Sequence, residues 1–217
     1  MADIFNILIT GVGGQGAVLL GNLLRTYGLT SPLIKNVVGT ETRGVSQREG
    51  SVSATTRYLI DSKIYSLDQK YEADELISAL IPLNDAHLVL GLEPLETIRN
   101  LKYISEQTVV ILNTHQNFPR NVLFGSEQEK KYPSVAYIID LLDQFARRVI
   151  AMNFNTLSQT QFDNSIYANS IILGVGAQEF RNVFLKKEMG QIIRGNLKNA
   201  ETNIKAFELG YKLISNY

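Results

Sequence analysis

The stretch that most narrows the possible folds is Gly11-Val12-Gly13-Gly14-Gln15-Gly16, set between the apolar run Ile4-Phe5-Asn6-Ile7-Leu8-Ile9 and the segment Ala17-Val18-Leu19-Leu20-Gly21-Asn22-Leu23-Leu24-Arg25. A short, nearly continuous apolar run that stops at glycines reads as a strand buried on both faces of a parallel sheet. The apolar residues beyond the turn recur at helical spacing and give out near Gly28 and Pro32. Strand, glycine turn and helix, in that order, are the opening of a Rossmann-like unit.

The pattern continues downstream. Leu33 to Val38 supplies a second strand, and the β-branched, alternating run Ser51 to Ile60 a longer one, with a polar, glycine-punctuated loop between them. Asp74 to Leu80 reads as a short helix, Ala86 to Gly91 as a buried strand, Pro94 to Ile104 as a helix opened by proline, and Thr108 to Asn113 as another buried strand. Ser134 caps a helix through about Arg147, Val149 to Met152 is a last strand, and Ile166 to Phe180 is an apolar helix rich in small residues. Lys186 to Ile193 and Asn196 to Ile214 form terminal helices that cover a sheet edge or meet a partner. The alternation predicts an α/β fold: Rossmann-like, doubly wound, with a mostly parallel sheet and C-terminal helices. At 217 residues and 45% hydrophobic, the chain suits one sizeable core, so residues 1–217 are expected to form a single domain.

Gly11 to Gly16 fits the G-x-G-x-x-G pattern in the strand-to-helix context that gives it meaning. Glycines let the main chain approach a phosphate, and free N–H groups with the helix dipole stabilise its charge. The same turn also serves close helix–strand packing, and the pattern alone leaves both readings open. A nicotinamide site adds an acid about 20 residues on, at the end of the second strand. Asn36-Val37-Val38 occupies that stretch, and Glu41 falls beyond it, close to Arg43. A free-standing NAD- or flavin-dependent oxidoreductase is therefore the weaker alternative, alongside a non-catalytic nucleotide-binding module.

The segment Gly39 to Ser53 concentrates polar groups and glycines in what reads as a strand-to-strand loop, with Arg43 and Arg48 as its guanidinium forks. Such forks suit carboxylate or phosphate, whereas local pairing with Glu41 and Glu49 on a solvated loop is the plainer reading. Glu93 follows a buried strand where ligands approach an open sheet, and it is equally placed to cap its own helix. His87 lies inside a buried strand and reads as a core residue. His115 stands at a strand end without an acid or nucleophile in motif spacing, and neither histidine is assigned catalysis. Asn169 reads as a structural amide in a small-residue helix.

Bulk properties exclude several classes. Lys plus Arg and Asp plus Glu balance at 21 each, so no net field favours nucleic acid or an anionic membrane. The absence of cysteine rules out disulfides, thiolate zinc, a cysteine nucleophile and cysteine-held iron–sulfur clusters in this chain. The opening Met-Ala-Asp-Ile-Phe-Asn has no basic and apolar leader pattern, and no apolar run approaches a bilayer span of roughly 20 residues, so a cytoplasmic address is expected.

Taken together, Gly11 to Gly16, Gly39 through Arg43-Gly44, Ser46-Gln47-Arg48-Glu49-Gly50-Ser51-Val52 and Glu93-Pro94-Leu95-Glu96 resemble the gamma-type domain of pyruvate and 2-oxoacid ferredoxin oxidoreductases, most closely the indolepyruvate beta-subunit type. Tyr132-Pro133-Ser134, Asn153, Ala168-Asn169 and Leu173-Gly174 follow in the family's order, although Glu49 stands where the family loop often has glycine. The resemblance implies an accessory subunit that helps close the active site and bind coenzyme A during oxidative decarboxylation. Thiamine diphosphate, magnesium and iron–sulfur clusters would then sit on a large partner subunit, with ferredoxin served through the complex. This chain would hold no cofactor alone and would be capable of pairing with itself when isolated. The implied coenzyme-binding set is Gly11, Gly13, Gly14, Gln15, Gly16, Arg43, Arg48, Ser51 and Glu93.

Overall fold

The structure, a computed structural model, describes residues 2–44, 50–61, 76–117 and 132–214. Its centre is β1 (Ala2–Val12), which pairs antiparallel with β3 (Ser51–Asp61) and parallel with β4 (Leu88–Gly91). Outside β3 lies β2 (Ile34–Arg43), antiparallel to it, and beyond β4 follow β5 (Val109–Asn113) and β6 (Arg148–Met152), both parallel. The sheet order is β2-β3-β1-β4-β5-β6, so β3 alone runs against the other five strands. The expected α/β, mostly parallel architecture holds. Its N-terminal half is a split unit in which α1 (Ala17–Thr30) carries the chain past β3 to the far edge.

Residues alternate between the two faces of the sheet as the strand period requires. Phe5, Ile7 and Ile9 of β1 meet Leu20, Leu23 and Leu24 of α1, together with α5 (Ala168–Glu179), α6 (Lys186–Asn196) and α7 (Ala200–Leu213). Leu8, Val89, Val110 and Leu112 face the other way, onto Ile138 and Leu142 of α3 (Val135–Asp143). Each such fully buried side chain stabilises the fold by about 1.5–3 kcal/mol. Ser134 caps α3 as expected, its Oγ accepting the Tyr137 N–H at 3.1 Å. The proline-opened α2 (Pro94–Arg99) is shorter than expected and passes into a 3₁₀ turn at Leu101–Tyr103.

Three sequence expectations are corrected. The described part of the Asp74 to Leu80 helix, residues 76–80, is irregular. Its carbonyls are taken by side chains of β3: Arg57 Nη1 donates to Ser78 O at 2.8 Å and Leu80 O at 2.9 Å, and Thr55 Oγ1 donates to Ala79 O at 2.8 Å. Backbone groups bonded to the sheet in this way cannot build a helical ladder. Second, most of the Gly39 to Ser53 loop is strand, with Glu41 opposite Ala54, Thr42 opposite Ser53 and Arg43 opposite Val52. Third, α4 (Phe154–Phe162) forms where no helix is expected, because its apolar residues are sparse; Asn153 Oδ1 caps it by accepting the Thr156 N–H at 2.9 Å. Among the described residues, no helix is long and apolar enough to cross a membrane.

Candidate functional site

The carboxyl ends of β1 and β4 diverge at the glycine turn, since α1 leads from β1 toward β2 while α2 leads from β4 toward β5. That is the switch point at which open α/β sheets receive ligands. Gly14 and Gly16 have φ of 99° and 87°, a left-handed backbone that side chains rarely adopt. A Cβ on Gly14 would meet nothing within 4 Å, so this residue keeps the ridge open, whereas one on Gly16 would lie 2.7 Å from Asn169 Nδ2.

Three residues of the motif are occupied structurally. Gln15 folds back, its Oε1 accepting the Val12 N–H at 2.9 Å and its Nε2 donating to Leu92 O at 3.3 Å. A Cβ on Gly11 would come within 2.9 Å of that Oε1, so Gly11 makes room for the bracing side chain. Gly13 N–H is also used, donating to Gly50 O at 2.8 Å. By contrast, the N–H groups of Gly14, Gly16, Ala17 and Val18 have no hydrogen-bond partner among the described residues, and no side chain caps α1. Orphan donors at a helix start stabilise an anion.

Beside this turn opens a cleft of about 830 Å³, whose lining includes Gly13, Gly14, Gly16, Asn22, Arg43 and Gly44. Arg43 is exposed, at 66% of its side chain, and its Nη2 lies 3.2 Å from Glu41 Oε2. Glu41 Oε1 in turn lies 2.7 Å from Arg25 Nη2, on α1. One carboxylate thus pairs with two guanidiniums, of which Arg43 lines the cleft. Arg25 is absent from the sequence-derived set because nothing in the spacing of a helix with a strand sixteen residues on reveals their contact. Arg48 lies outside the described residues. Ser51 starts β3 and its carbonyl accepts the Gly44 N–H at 2.8 Å, which closes the hairpin beside the cleft without placing Ser51 in its lining.

Glu93 is fully buried and lines neither this cleft nor the neighbouring one. Its Oε2 caps α2 by accepting the Glu96 N–H at 2.8 Å, its Oε1 accepts the Tyr132 hydroxyl, and the Asn117 N–H adds a third bond. Burial pushes its carboxyl above the usual carboxylate range, against the pull of those hydrogen bonds. His87 is a buried core residue: it stacks on Phe5, and its Nδ1 accepts the Asn6 N–H at 3.0 Å. Burial, with Arg57 and Arg147 nearby, lowers it to about 4.

On the far side of the ridge lies a second cleft of about 370 Å³, built at the ends of β4 and β5 and the start of α5, which shares Gly14, Gly16 and Leu19 with the first. His115 and Asn169 line it. Asn169 Nδ2 donates to Gln15 O at 2.7 Å and so ties α5 to the turn, the structural role expected of it. Asn113 and Asn155, joined at 2.8 Å, belong to this cleft and escape the sequence reading, although a polar residue at the carboxyl end of a buried strand was the available signal. Among the described residues, no group of three His, Asp or Glu side chains converges as a metal site.

Turn, cleft and sheet order define a Rossmann-like α/β chain with unpartnered amides at its switch point and no cysteine in its sequence. The comparisons with known proteins place it further. Residues 6–213 match the pyruvate ferredoxin/flavodoxin oxidoreductase family, to which the chain belongs. It is 30% identical to indolepyruvate oxidoreductase subunit IorB of Archaeoglobus fulgidus over 95% of this chain and 93% of the relative. It is also 30% identical to the subunit of the same name from Pyrococcus horikoshii, over 96% and 95%. Its fold resembles pyruvate oxidoreductase subunit PORC of Thermotoga maritima, with a TM-score of 0.64 at 15% identity over 96% of each chain. A keto/oxoacid ferredoxin oxidoreductase gamma subunit from Geobacter sulfurreducens gives 0.61 at 16%, again over 96% of each. The chain is an accessory subunit of a 2-oxoacid:ferredoxin oxidoreductase, as its motifs lead one to expect.

Proposed function

We propose that this subunit binds coenzyme A at the glycine turn and closes the active site of an aryl-pyruvate (indolepyruvate-type) enzyme whose large subunit carries thiamine diphosphate, magnesium and iron–sulfur clusters. The observation that carries the reading is the set of N–H groups of Gly14, Gly16, Ala17 and Val18 without a partner among the described residues, which opens on a cleft bordered by Arg43. Pyrophosphate suits backbone donors at a helix start, and an exposed guanidinium supplies a further fork for phosphate. Gly11 and Gln15 brace the turn, and Glu93 holds the helix that follows β4. The indolepyruvate assignment is supported by the names of the relatives that match nearly end to end.

Coenzyme A, when bound, supplies the thiol that takes up the acyl group; this chain's residues orient it and neutralise its phosphates. The zero-cysteine sequence leaves cluster ligation, and electron delivery to ferredoxin, to the partner. A cytoplasmic, single-domain subunit agrees with these features. The nicotinamide alternative is disfavoured because β3 separates β2 from β1, and Glu41, the acid near the end of β2, is engaged by Arg25 and Arg43. In isolation the chain is expected to pair with itself along β6, an edge strand whose Val149, Ile150, Ala151 and Met152 carry no charge.

Reconstitution tests the assignment. The two subunits mixed should reduce ferredoxin with an aryl pyruvate in a coenzyme A-dependent way, and neither should do so alone. Turnover by this chain in isolation would refute it.

A further inference from the structure

Arg25 and Arg43 share the carboxylate of Glu41, and they share it unequally. Arg25 Nη2 lies 2.7 Å from Oε1, and Arg43 Nη2 lies 3.2 Å from Oε2. The side chains of Arg25 and Glu41 are only 21% and 22% exposed, against 66% for Arg43. Arg25 is also fixed by its own surroundings. Its Nη2 donates to Asn22 Oδ1, and a Cβ on either Gly21 or Gly39 would stand 3.2 Å from its Nη1, so the guanidinium lies in a slot that two glycines leave open. That Nη1 is buried and has no hydrogen-bond partner, which leaves the Glu41 charge as the main compensation for this cation.

The inequality decides which pair gives way. Water readily replaces one partner of an exposed ion pair, whereas unpairing a shielded guanidinium that already has an orphan nitrogen is costly. Glu41 and Arg43 stand two residues apart on β2, on the same face of the strand, but only Arg43 reaches the lining of the cleft. An anion entering that cleft therefore draws Arg43 away from Glu41 and leaves Arg25 in place. Without Arg25 the vacated carboxylate would be bare beside the incoming negative charge; with it, the carboxylate stays neutralised and the exchange costs little.

We infer that Glu41 is the resident counter-ion of Arg43, exchanged for the ligand's phosphate on binding, and that Arg25 is a positioning residue that holds and neutralises the displaced carboxylate. The inference rests on the phosphate reading above and adds what Arg43 gives up in order to take a phosphate. Arg25 touches no ligand and acts through Glu41. The two residues consequently have effects of opposite sign. Loss of the carboxylate releases Arg43 and strengthens binding, whereas loss of Arg25 leaves Glu41 wholly to Arg43 and weakens it. A packing role for either residue gives weakening alone.

Calorimetry with coenzyme A on the assembled enzyme tests the signs. Glu41→Gln should tighten binding about threefold and Arg25→Gln should weaken it about threefold, the range open to one exposed ion pair. In an Arg43→Ala background the gain from Glu41→Gln should vanish, because no guanidinium is left to release. A gain in affinity does not arise from a damaged fold, so the Glu41 variants decide the matter even if Arg25→Gln fails to fold. Unchanged or weaker binding by Glu41→Gln would overturn the inference, and so would a gain that persists without Arg43; in both cases a loss of affinity in Arg43→Ala alone would leave the phosphate reading standing. Wild-type affinity in Arg25→Gln would remove the role given to Arg25. If Arg43→Ala itself binds coenzyme A as wild type does, the phosphate reading falls and the exchange with it.

Discussion

Acid should destabilise this subunit through His87, and the size of the effect follows from its surroundings. The ring is 3% exposed, stacks on Phe5, accepts the Asn6 N–H, and lies within the fields of Arg57 and Arg147. Its folded pKa of about 4 lies below the ordinary 6.5. Protons therefore bind the unfolded chain first, and stability that is fully present above 6.5 is lost as pH falls toward 4. At about 1.36 kcal/mol per pH unit the whole loss is roughly 3 kcal/mol, of which about 2 kcal/mol is gone by pH 5. Asp85 and Glu93 act oppositely, because burial raises both carboxyls and the fold takes up their protons more readily as pH falls. The comparison must therefore be made against His87→Gln, which keeps an acceptor for Asn6 and removes the titration. Urea unfolding of both proteins at pH 7 and pH 5 should show the wild type losing about 2 kcal/mol more than the variant over that interval. Parallel pH dependence would mean that His87 can be protonated without leaving the core, and would refute the reasoning.

Other perturbations have defined outcomes. Gly16→Ala should cost about 2 kcal/mol by chemical denaturation, from its left-handed backbone and the approach to Asn169, and Gly14→Ala only about 1 kcal/mol, since open space surrounds it. Arg57→Met should cost roughly 3 kcal/mol, because Asn6 Oδ1 and the carbonyls of Ser78 and Leu80 lose their donor, and hydrogen exchange should quicken in residues 76–80. Tyr132→Phe removes the hydroxyl that serves Glu93 and accepts from Leu95 N–H, and a loss of about 1–3 kcal/mol is expected in the same unfolding assay. Light scattering should find the isolated chain dimeric and Ile150→Lys monomeric if β6 is the self-pairing edge.

How far the sequence carries depends on the range of the interactions involved. β1, the glycine turn and α1 are written in adjacent residues, so period and punctuation suffice to place them. The hairpin of β2 and β3 was legible as two strands but not as a pair inserted beside β1, because strand order is decided by packing across the sheet. The 76–80 segment misleads locally: its helical pattern loses to Arg57 and Thr55, which stand on a strand about twenty residues away in the chain. The site shows the same division. The motif glycines were identifiable, whereas the commitment of Gln15 to Val12 and Leu92, the Arg25–Glu41–Arg43 arrangement and the Asn113–Asn155 pair depend on contacts between distant segments. Glu93 was legible as either ligand or cap, and its burial with Tyr132 and Asn117 favours the cap.

The coenzyme A affinity of the assembled enzyme, measured by calorimetry before and after Arg43→Ala and Gly14→Val, bears most directly on the claim that this chain supplies the coenzyme's phosphate site. Removing the exposed guanidinium, or filling the open side of the turn, should each weaken binding about tenfold or more. Affinity that stays at the wild-type value in both variants would place the coenzyme elsewhere in the complex and leave the glycine turn as packing alone.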